Sequence, residues 1–390
     1  MQQMPEQLIY MDYNATTPCD PRVVEAMLPY FSARFGNAAS HTHAFGWEAR
    51  EAAELAREQV AGLIGAEAGE LVFTSGATEA INLALKGIFE LYRHKGNHII
   101  TCVTEHKAVL DTCAELERRG AAVTYLPVDG AGRLDPDALA AALTPQTLLV
   151  SVMYANNETG VIQDIPLLSR LSREQGALFM TDATQALGKI PVEVNRDGID
   201  LLCCSAHKLY GPKGAGALYL RRRAPRVRLH PLIHGGGHEK GLRSGTLNVP
   251  GIVGLGAAAE CCRREMQADA ARLGALRDEL EKTLLRTGRA RINGDAGHRL
   301  PHVSNLAFLR TDGNALLSAV TKRVAVSSGS ACTSALPRPS HVLSAMGLDP
   351  SLARASLRLS LGRMTTPEEV QEAARFIGQT LAELGPTETA

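Results

Sequence analysis

Five short apolar runs, each followed at once by a polar cluster, constrain this chain more than any other feature. The runs are Leu71–Thr74, Ile99–Cys102, Leu148–Tyr154, Leu178–Thr181 and Ile199–Cys204. Helical patterns near Ala77–Tyr92, Ala108–Arg119, Pro136–Leu143 and Ile165–Glu174 alternate with them. Such alternation predicts an α/β fold with a mostly parallel sheet covered on both faces. The polar clusters are Ser75-Gly76-Ala77-Thr78, Glu105-His106, Asn156-Asn157-Glu158, Asp182 with Gln185, and Ser205 with His207 and Lys208. Parallel strands gather all five along one edge, where open α/β sheets bind ligands. The opposite strand ends, Gly69-Glu70 and Gly96-Asn97-His98, read as ordinary turns.

Outside this block, Asp20 and Pro21 form an N-cap and first-turn pair for a helix to about Phe31, a loop runs to Gly46, and Trp47–Ile64 suits a long amphipathic helix. A composition shift falls near Val249–Arg264, in a helix continuing to Leu285. Beyond it the pattern predicts strand Val303–Phe308, helix Gly313–Val320, strands Val324–Ser327 and Leu357–Ser360, and a helix capped by Thr366-Pro367-Glu368-Glu369. The expected division is a large α/β domain over 18–262 and a smaller α+β domain made of 1–17 and 263–390. The smaller unit carries a loop at about 327–339 that is rich in small polar residues, lacks an apolar face and holds Cys332; it reads as mobile.

Lys+Arg and Asp+Glu both number 41, so no strong field draws the protein to nucleic acid or an anionic membrane. Met1–Tyr10 contains no basic residue and no apolar stretch reaches membrane length, so neither a secretory signal nor a transmembrane helix is expected, and the location is read as cytoplasmic. The eight cysteines form no C-x-x-C pair, which argues for reduced thiols rather than a zinc ribbon or a disulfide framework. Cys203–Cys204 and Cys261–Cys262 read as packing residues. His234 and His238 have i, i+4 spacing, but Gly235–Gly237 disfavours the helix a metal pair would need, so no metal site is assigned there.

Three positions carry chemistry on local grounds. Lys208 follows a buried strand, where partial desolvation favours the neutral amine that forms a Schiff base with an aldehyde; taken alone, a solvated loop lysine is the better account, and the case for chemistry rests on what surrounds it. Gly76-Ala77-Thr78 opens a helix straight after a strand, so backbone N–H groups and the positive end of the dipole face an anion. Arg358 alternates with Leu357, Leu359 and Leu361, which places it with Ser360 on the opposite face from the leucines, and its guanidinium suits a carboxylate.

The strings YNATTP, FTSGATEAINLA, TEHKAVLD, ANNETGVIQDI, DATQALGK, SAHKLYGPKG, HGGGHEKGLRSGTLN, SSGSACTSA and LRLSLGR run nearly end to end. Together they closely resemble cysteine desulfurases of the NifS/IscS type, class-V aminotransferase enzymes that use pyridoxal 5'-phosphate on the aspartate-aminotransferase fold. The resemblance implies that Lys208 holds the cofactor covalently, that Asp182 keeps the pyridine nitrogen protonated, and that Gln185 and Asn157 lie by the phenolic oxygen. It assigns the phosphate to Ala77, Thr78, Ser205 and His207, with Thr246 contributed across a homodimer interface. His106 stacks on the ring and moves protons, while Asn157 and Arg358 hold the substrate carboxylate. Cys332 attacks the sulfur of L-cysteine, alanine leaves, and the resulting persulfide passes to an acceptor protein, an iron–sulfur scaffold among the candidates; with such a partner Cys332 is also a transient cluster ligand.

Ala206 stands where glycine is common in the lysine motif, and Ala38 where proline is common in the GN-x-x-S loop; neither alters the expected chemistry. The chain stops soon after the Thr366–Leu384 helix, without the longer tail of IscS-type members, which leaves the acceptor open between iron–sulfur assembly and thiolation of other cofactors or nucleic acid. Competing readings are a selenocysteine lyase, another lyase or aminotransferase on this fold, and a non-catalytic sulfur-relay scaffold. A nicotinamide dehydrogenase shares the strand–helix rhythm, but no G-x-G-x-x-G follows the first strand.

Overall fold

The computed structural model describes residues 8–223, 226–328 and 339–387. Among the described residues the strands are β1 (Ile9–Tyr10), β2 (Leu71–Thr74), β3 (His98–Cys102), β4 (Ala122–Leu126), β5 (Thr147–Ser151), β6 (Leu178–Asp182), β7 (Leu201–Ser205), β8 (Gly216–Leu220), β9 (Ala290–Ile292), β10 (Val303–Phe308), β11 (Val324–Ala325) and β12 (Ser356–Ser360). Seven of them form one sheet in the order β2-β8-β7-β6-β5-β3-β4. β8 is antiparallel to both of its neighbours, and every other adjacent pair is parallel. β2 and β7 therefore point the same way, and six strands end on one edge.

The five apolar runs all lie in this sheet because each of their strands is covered on both faces, which makes the run continuously apolar. Cys203 and Cys204 show the two faces directly. Cys203 packs with Ile99, Met180 and the helices Ala77–Tyr92 and Lys107–Arg118. Cys204 packs with Val150, Phe179 and the helices Ala44–Ile64, Ile165–Glu174 and the start of Val249–Leu285. β4 and β8 were not anticipated: β4 is a partly exposed edge strand with a mixed pattern, and β8 follows a glycine-rich turn that hides its start. β5 stops at Ser151, short of the expected Tyr154.

The helix expected to reach Phe31 is two pieces, Pro21–Met27 and Pro29–Ser32, since Pro29 has no N–H to continue the ladder. Asp20 caps the first through its side chain, as its position predicts. Residues 234–238 form turns, not a helix. Helix Val249–Leu285 is continuous over 37 residues. Its far part sends Leu273, Leu276, Leu280 and Leu284 into a separate core with Met11, Phe308, Leu357, Leu359 and Ile377. There β12, β10 and β9 make a three-stranded antiparallel sheet, and β1 pairs in parallel with β11. The last helix, Pro367–Leu384, begins with the capping box of Thr366 and Glu369.

Candidate active site

At the end of β7 a single 3-10 turn, Ala206–Lys208, swings Lys208 over the sheet edge. Its Nζ donates to the backbone carbonyls of Asn14 and, at 2.7 Å, Ala15. Burial and then the Arg358 charge push the amine down to about 8, against the pull of Asp12 and Asp182. An amine so poised holds a substantial neutral fraction near physiological pH, which a freely solvated lysine does not.

Gly76 precedes helix Ala77–Tyr92 and supplies no side-chain cap, so first-turn N–H groups face outward from the end of β2. Gly216 makes this corner: a Cβ there would stand 2.6 Å from Gly76 Cα and 2.6 Å from the Cys204 oxygen. The close approach lays Gly76 against Ser205, whose Oγ would be 3.5 Å from a Cβ on Gly76. Beside them His207 Nδ1 lies 3.1 Å from Thr16 Oγ1. Burial, then the charges of Lys208 and Lys213, push His207 down to about 4, so its ring is neutral at pH 7. Glu79 is the one acidic side chain of that first turn, and Arg243 holds it in an ion pair at 2.8 Å. Uncapped N–H groups, a serine hydroxyl and a neutral imidazole fit a phosphate.

Asn14 ties the rest together. Besides Lys208, its carbonyl accepts from Gln185 Nε2 at 3.0 Å. Its Nδ2 donates to the Asn157 carbonyl at 3.0 Å, its Oδ1 lies 2.9 Å from His302 Nε2, and its N–H donates to Ser360 Oγ at 2.9 Å. Asp182, buried at the end of β6, accepts from the Thr184 N–H at 2.9 Å. Arg358, in mid-β12 and 7% exposed, donates to Asp12 at 2.7 Å and to the Asn157 carbonyl at 3.1 Å. Among the described residues its Nε is buried without a hydrogen-bond partner, as is Thr184 Oγ1. These orphans and the amine beside them fit a cofactor and a substrate carboxylate seated between the sheet edge and β12.

His106 is exposed at the end of the β3 loop and caps helix Lys107–Arg118, its Nδ1 accepting from the Ala108 N–H at 3.1 Å. An accepting Nδ1 places the proton of the neutral ring on Nε2. Thr246 is exposed, and among the described residues no hydrogen bond joins it to the Lys208 cluster. Cys332 lies outside the described residues; Ser327, near the start of its segment, pairs with Arg358 through the backbone and donates from Oγ to Asp12 at 3.0 Å. Sequence reasoning gave no role to Asn14, Asp12, Lys189 or Gly216. Asn14 and Asp12 sit in or beside the YNATTP string and Gly216 is the last glycine of the lysine loop, but nothing local tells what they touch.

The Aminotransferase class-V family model matches residues 9–373. A curated relative, "Cysteine desulfurase IscS" of Anaeromyxobacter sp. (strain K), is 57% identical over 377 residues, covering 96% of this chain and 93% of its own. A solved "NIFS-LIKE PROTEIN" superposes with a TM-score of 0.91 at 38% identity, over 97% of this chain and 100% of its own. The structure "SspA in complex with cysteine" superposes with a TM-score of 0.80 at 38% identity, over 90% of this chain and 98% of its own. On these findings the chain belongs to the class-V aminotransferase family and, within it, to the cysteine desulfurases.

Proposed function

We propose that the chain takes sulfur from L-cysteine with pyridoxal 5'-phosphate, leaving L-alanine and a persulfide on Cys332. The observation that carries this is the Lys208 amine, pushed down to about 8 and held at the carboxyl edge of a parallel sheet between an anion corner and a buried arginine with an unpaired Nε. Bound through Lys208, the cofactor supplies an electron sink for the substrate α-carbon.

The chain's own residues do the rest. Ala77 and Thr78 N–H groups, Ser205 and His207 hold the phosphate. Asp182 keeps a proton on the pyridine nitrogen, and Gln185 and Asn157 orient the ring oxygen. Arg358, steadied by Asp12 and the Asn157 carbonyl, takes the substrate carboxylate with its remaining donors. The Lys208 amine, when free, accepts the α-proton, and His106 offers the proton on Nε2. The Cys332 thiolate then attacks the substrate sulfur. Its carbon–sulfur bond breaks with the electron pair left on the β-carbon, which takes a proton; the α-carbon regains a proton from the Lys208 amine, and alanine departs while Cys332 keeps the sulfur as a persulfide.

The working unit is a homodimer. Leu28, Phe31, Phe35, Phe45 and Trp47 are each more than half exposed, and the Phe35 and Phe45 rings meet with centroids 5.4 Å apart. Val249 and Leu247, next to Thr246, pack on Ala38, Ala49 and Ala52, in the stretch of chain that also holds Phe35, Phe45 and Trp47. A second copy covering this patch would bring Thr246 toward the partner's phosphate corner. An acceptor protein takes the sulfur for iron–sulfur or other thio-cofactor assembly. The compartment is the cytoplasm, supported by seven described cysteines that are all free, and no described helix is long and apolar enough to cross a membrane.

The test is a yellow absorbance band in purified protein together with alanine release from cysteine. Cys332→Ser should keep the band and lose the release. A colourless protein that rejects pyridoxal phosphate, or a Cys332→Ser variant with undiminished release, overturns the proposal.

A further inference from the structure

Beneath the lysine turn lies a second lysine, Lys189, which none of the steps above uses. It is buried, and its Nζ donates to the carbonyl of Lys208 at 3.0 Å. The ammonium sits 4.4 Å from the centroid of the Tyr210 ring, and the Arg363 guanidinium sits 4.5 Å from the same ring. Tyr210 itself has φ 61°, a left-handed backbone that a tyrosine adopts only under constraint. Its constraints are visible: its N–H donates to Thr17 Oγ1 at 2.9 Å, its carbonyl accepts from the Asp20 N–H at 2.9 Å, and its hydroxyl accepts from the Arg363 N–H at 2.7 Å. Thr17 also holds the His207 carbonyl, through N–H at 2.9 Å and Oγ1 at 3.0 Å. The carbonyls of His207, Lys208 and Tyr210 are thus each gripped from behind, and Lys189 grips the one that belongs to Lys208.

We propose that Lys189 is a positioning residue for Lys208: its ammonium, stacked on Tyr210, clamps the Lys208 carbonyl and so fixes the root from which the cofactor-bearing amine reaches over the sheet edge. The proposal rests on the reading of Lys208 as that amine. A cavity-filling role alone does not account for Lys189, because an ammonium is a poor choice for a buried gap unless its charge and its donors are both used. The groups facing it are the Lys208 carbonyl, Tyr210, Cys262, Arg363, Asp269 and, across a small pocket, His302. Burial pushes Lys189 down to about 8. The Lys189 charge also helps to keep the Lys208 proton loosely held, alongside Arg358 and against Asp12 and Asp182. The clamp therefore carries a second consequence, coupling between two amines of the same sign.

The experiment follows the rate at which cofactor-free protein takes up pyridoxal phosphate, read by absorbance, from about pH 6 to 10. In Lys189→Met the rate near pH 7, where Lys189 is still an ammonium, should fall about tenfold as the turn loosens, and the midpoint should rise by about half a unit, a further threefold slowing at that pH. Lys189→Arg, which keeps charge and donors, should return the midpoint to the wild-type value. A folded Lys189→Met protein with the wild-type rate near pH 7 and the wild-type midpoint overturns the proposal. A second measurement leaves Lys189 intact: coupling between two sites is reciprocal, so in Lys208→Met the NMR titration of Lys189 should move up by the same half unit, about threefold in proton affinity, and an unmoved titration also overturns it. A Lys208→Met protein that still forms the yellow complex would instead sink the reading of Lys208, whatever Lys189 does.

Discussion

The two flanks of the site are built by opposite means. On the large sheet, functional side chains are delivered by position: Asp182 and Ser205 are the last residues of their strands, Thr78, Gln185 and Lys208 follow a strand by three or four residues, and parallel pairing brings the strand ends together. On the antiparallel flank, Arg358 sits in the middle of β12, opposite Asn305 of β10, and it is aimed by an ion pair to Asp12, 346 positions away. Topology alone assembles the first flank. Tertiary contact assembles the second. A substitution at a strand end should therefore change chemistry with little effect on stability, whereas one at Arg358 should change both.

The largest expected effect is at the strand end. Lys208→Ala should lower alanine release by about 10^4-fold while thermal unfolding of the cofactor-free protein stays nearly unchanged. Among the described residues its amine donates to two backbone carbonyls alone. Arg358→Gln should raise the KM for cysteine about 100-fold and also destabilise by about 3 kcal/mol, because Asp12 is left partly buried without its cation. Adding Asp12→Asn to Arg358→Gln should recover part of the stability and none of the KM. If the double variant recovers both, the carboxylate role of Arg358 is wrong and its service is structural.

Gly216 tests how tightly the first flank is assembled. An alanine there meets backbone at 2.6 Å on two sides, so Gly216→Ala should cost about 2 kcal/mol and weaken retention of the phosphate-bearing cofactor. Gly62, within helix Ala44–Ile64 with nothing inside 4 Å of its ideal Cβ, is the control: Gly62→Ala should stabilise by about 0.5–1 kcal/mol and leave cofactor retention alone. Chemical denaturation and dialysis against buffer separate the two outcomes.

The same contrast explains what was legible before the fold was known. Lys208, Asp182 and the Gly76–Thr78 corner were readable because strand, turn and polar cluster are contiguous in the chain. The leucines of β12 were readable too, and with them the face on which Arg358 lies, since alternation is local. Asp12 was not, nor was Asn14, because their significance comes from partners 143 to 346 positions distant. Lys189 belongs to the same class: within DATQALGK it is one more polar residue after a strand, and only the packing of Tyr210 reveals what its ammonium holds. β8 was hidden for a different reason. Its glycine start, which reads as turn punctuation, is glycine because the backbone of β8 must touch that of Gly76.

The last comparison concerns pH, and two groups, one on the phosphate corner and one where the flanks meet, should respond with opposite signs. His207, on the phosphate corner, is pushed down to about 4 from an ordinary 6.5, so the folded state binds fewer protons there than the unfolded state. Its contribution to stability is present above pH 6.5 and is lost as pH falls toward 4. Because the ring is only partly buried, the loss should be about 1–2 kcal/mol. Glu158 lies after β5 where the two flanks meet: its carboxyl accepts from Ser340 Oγ and its carbonyl accepts from Asn305 Nδ2 at 3.1 Å. Burial raises it to about 7 from 4.5, so its contribution is present below pH 4.5 and lost as pH rises through 7. In the cofactor-free protein, His207→Asn should flatten the acid side of the stability profile. Glu158→Gln, which keeps an acceptor for Ser340, should raise stability at pH 8 by about 1–3 kcal/mol and leave it unchanged at pH 4. If Glu158→Gln instead destabilises at pH 8, the carboxylate is charged and stabilised there by Arg358 and Lys107, and the meeting point of the two flanks is held by electrostatics rather than by a shared proton.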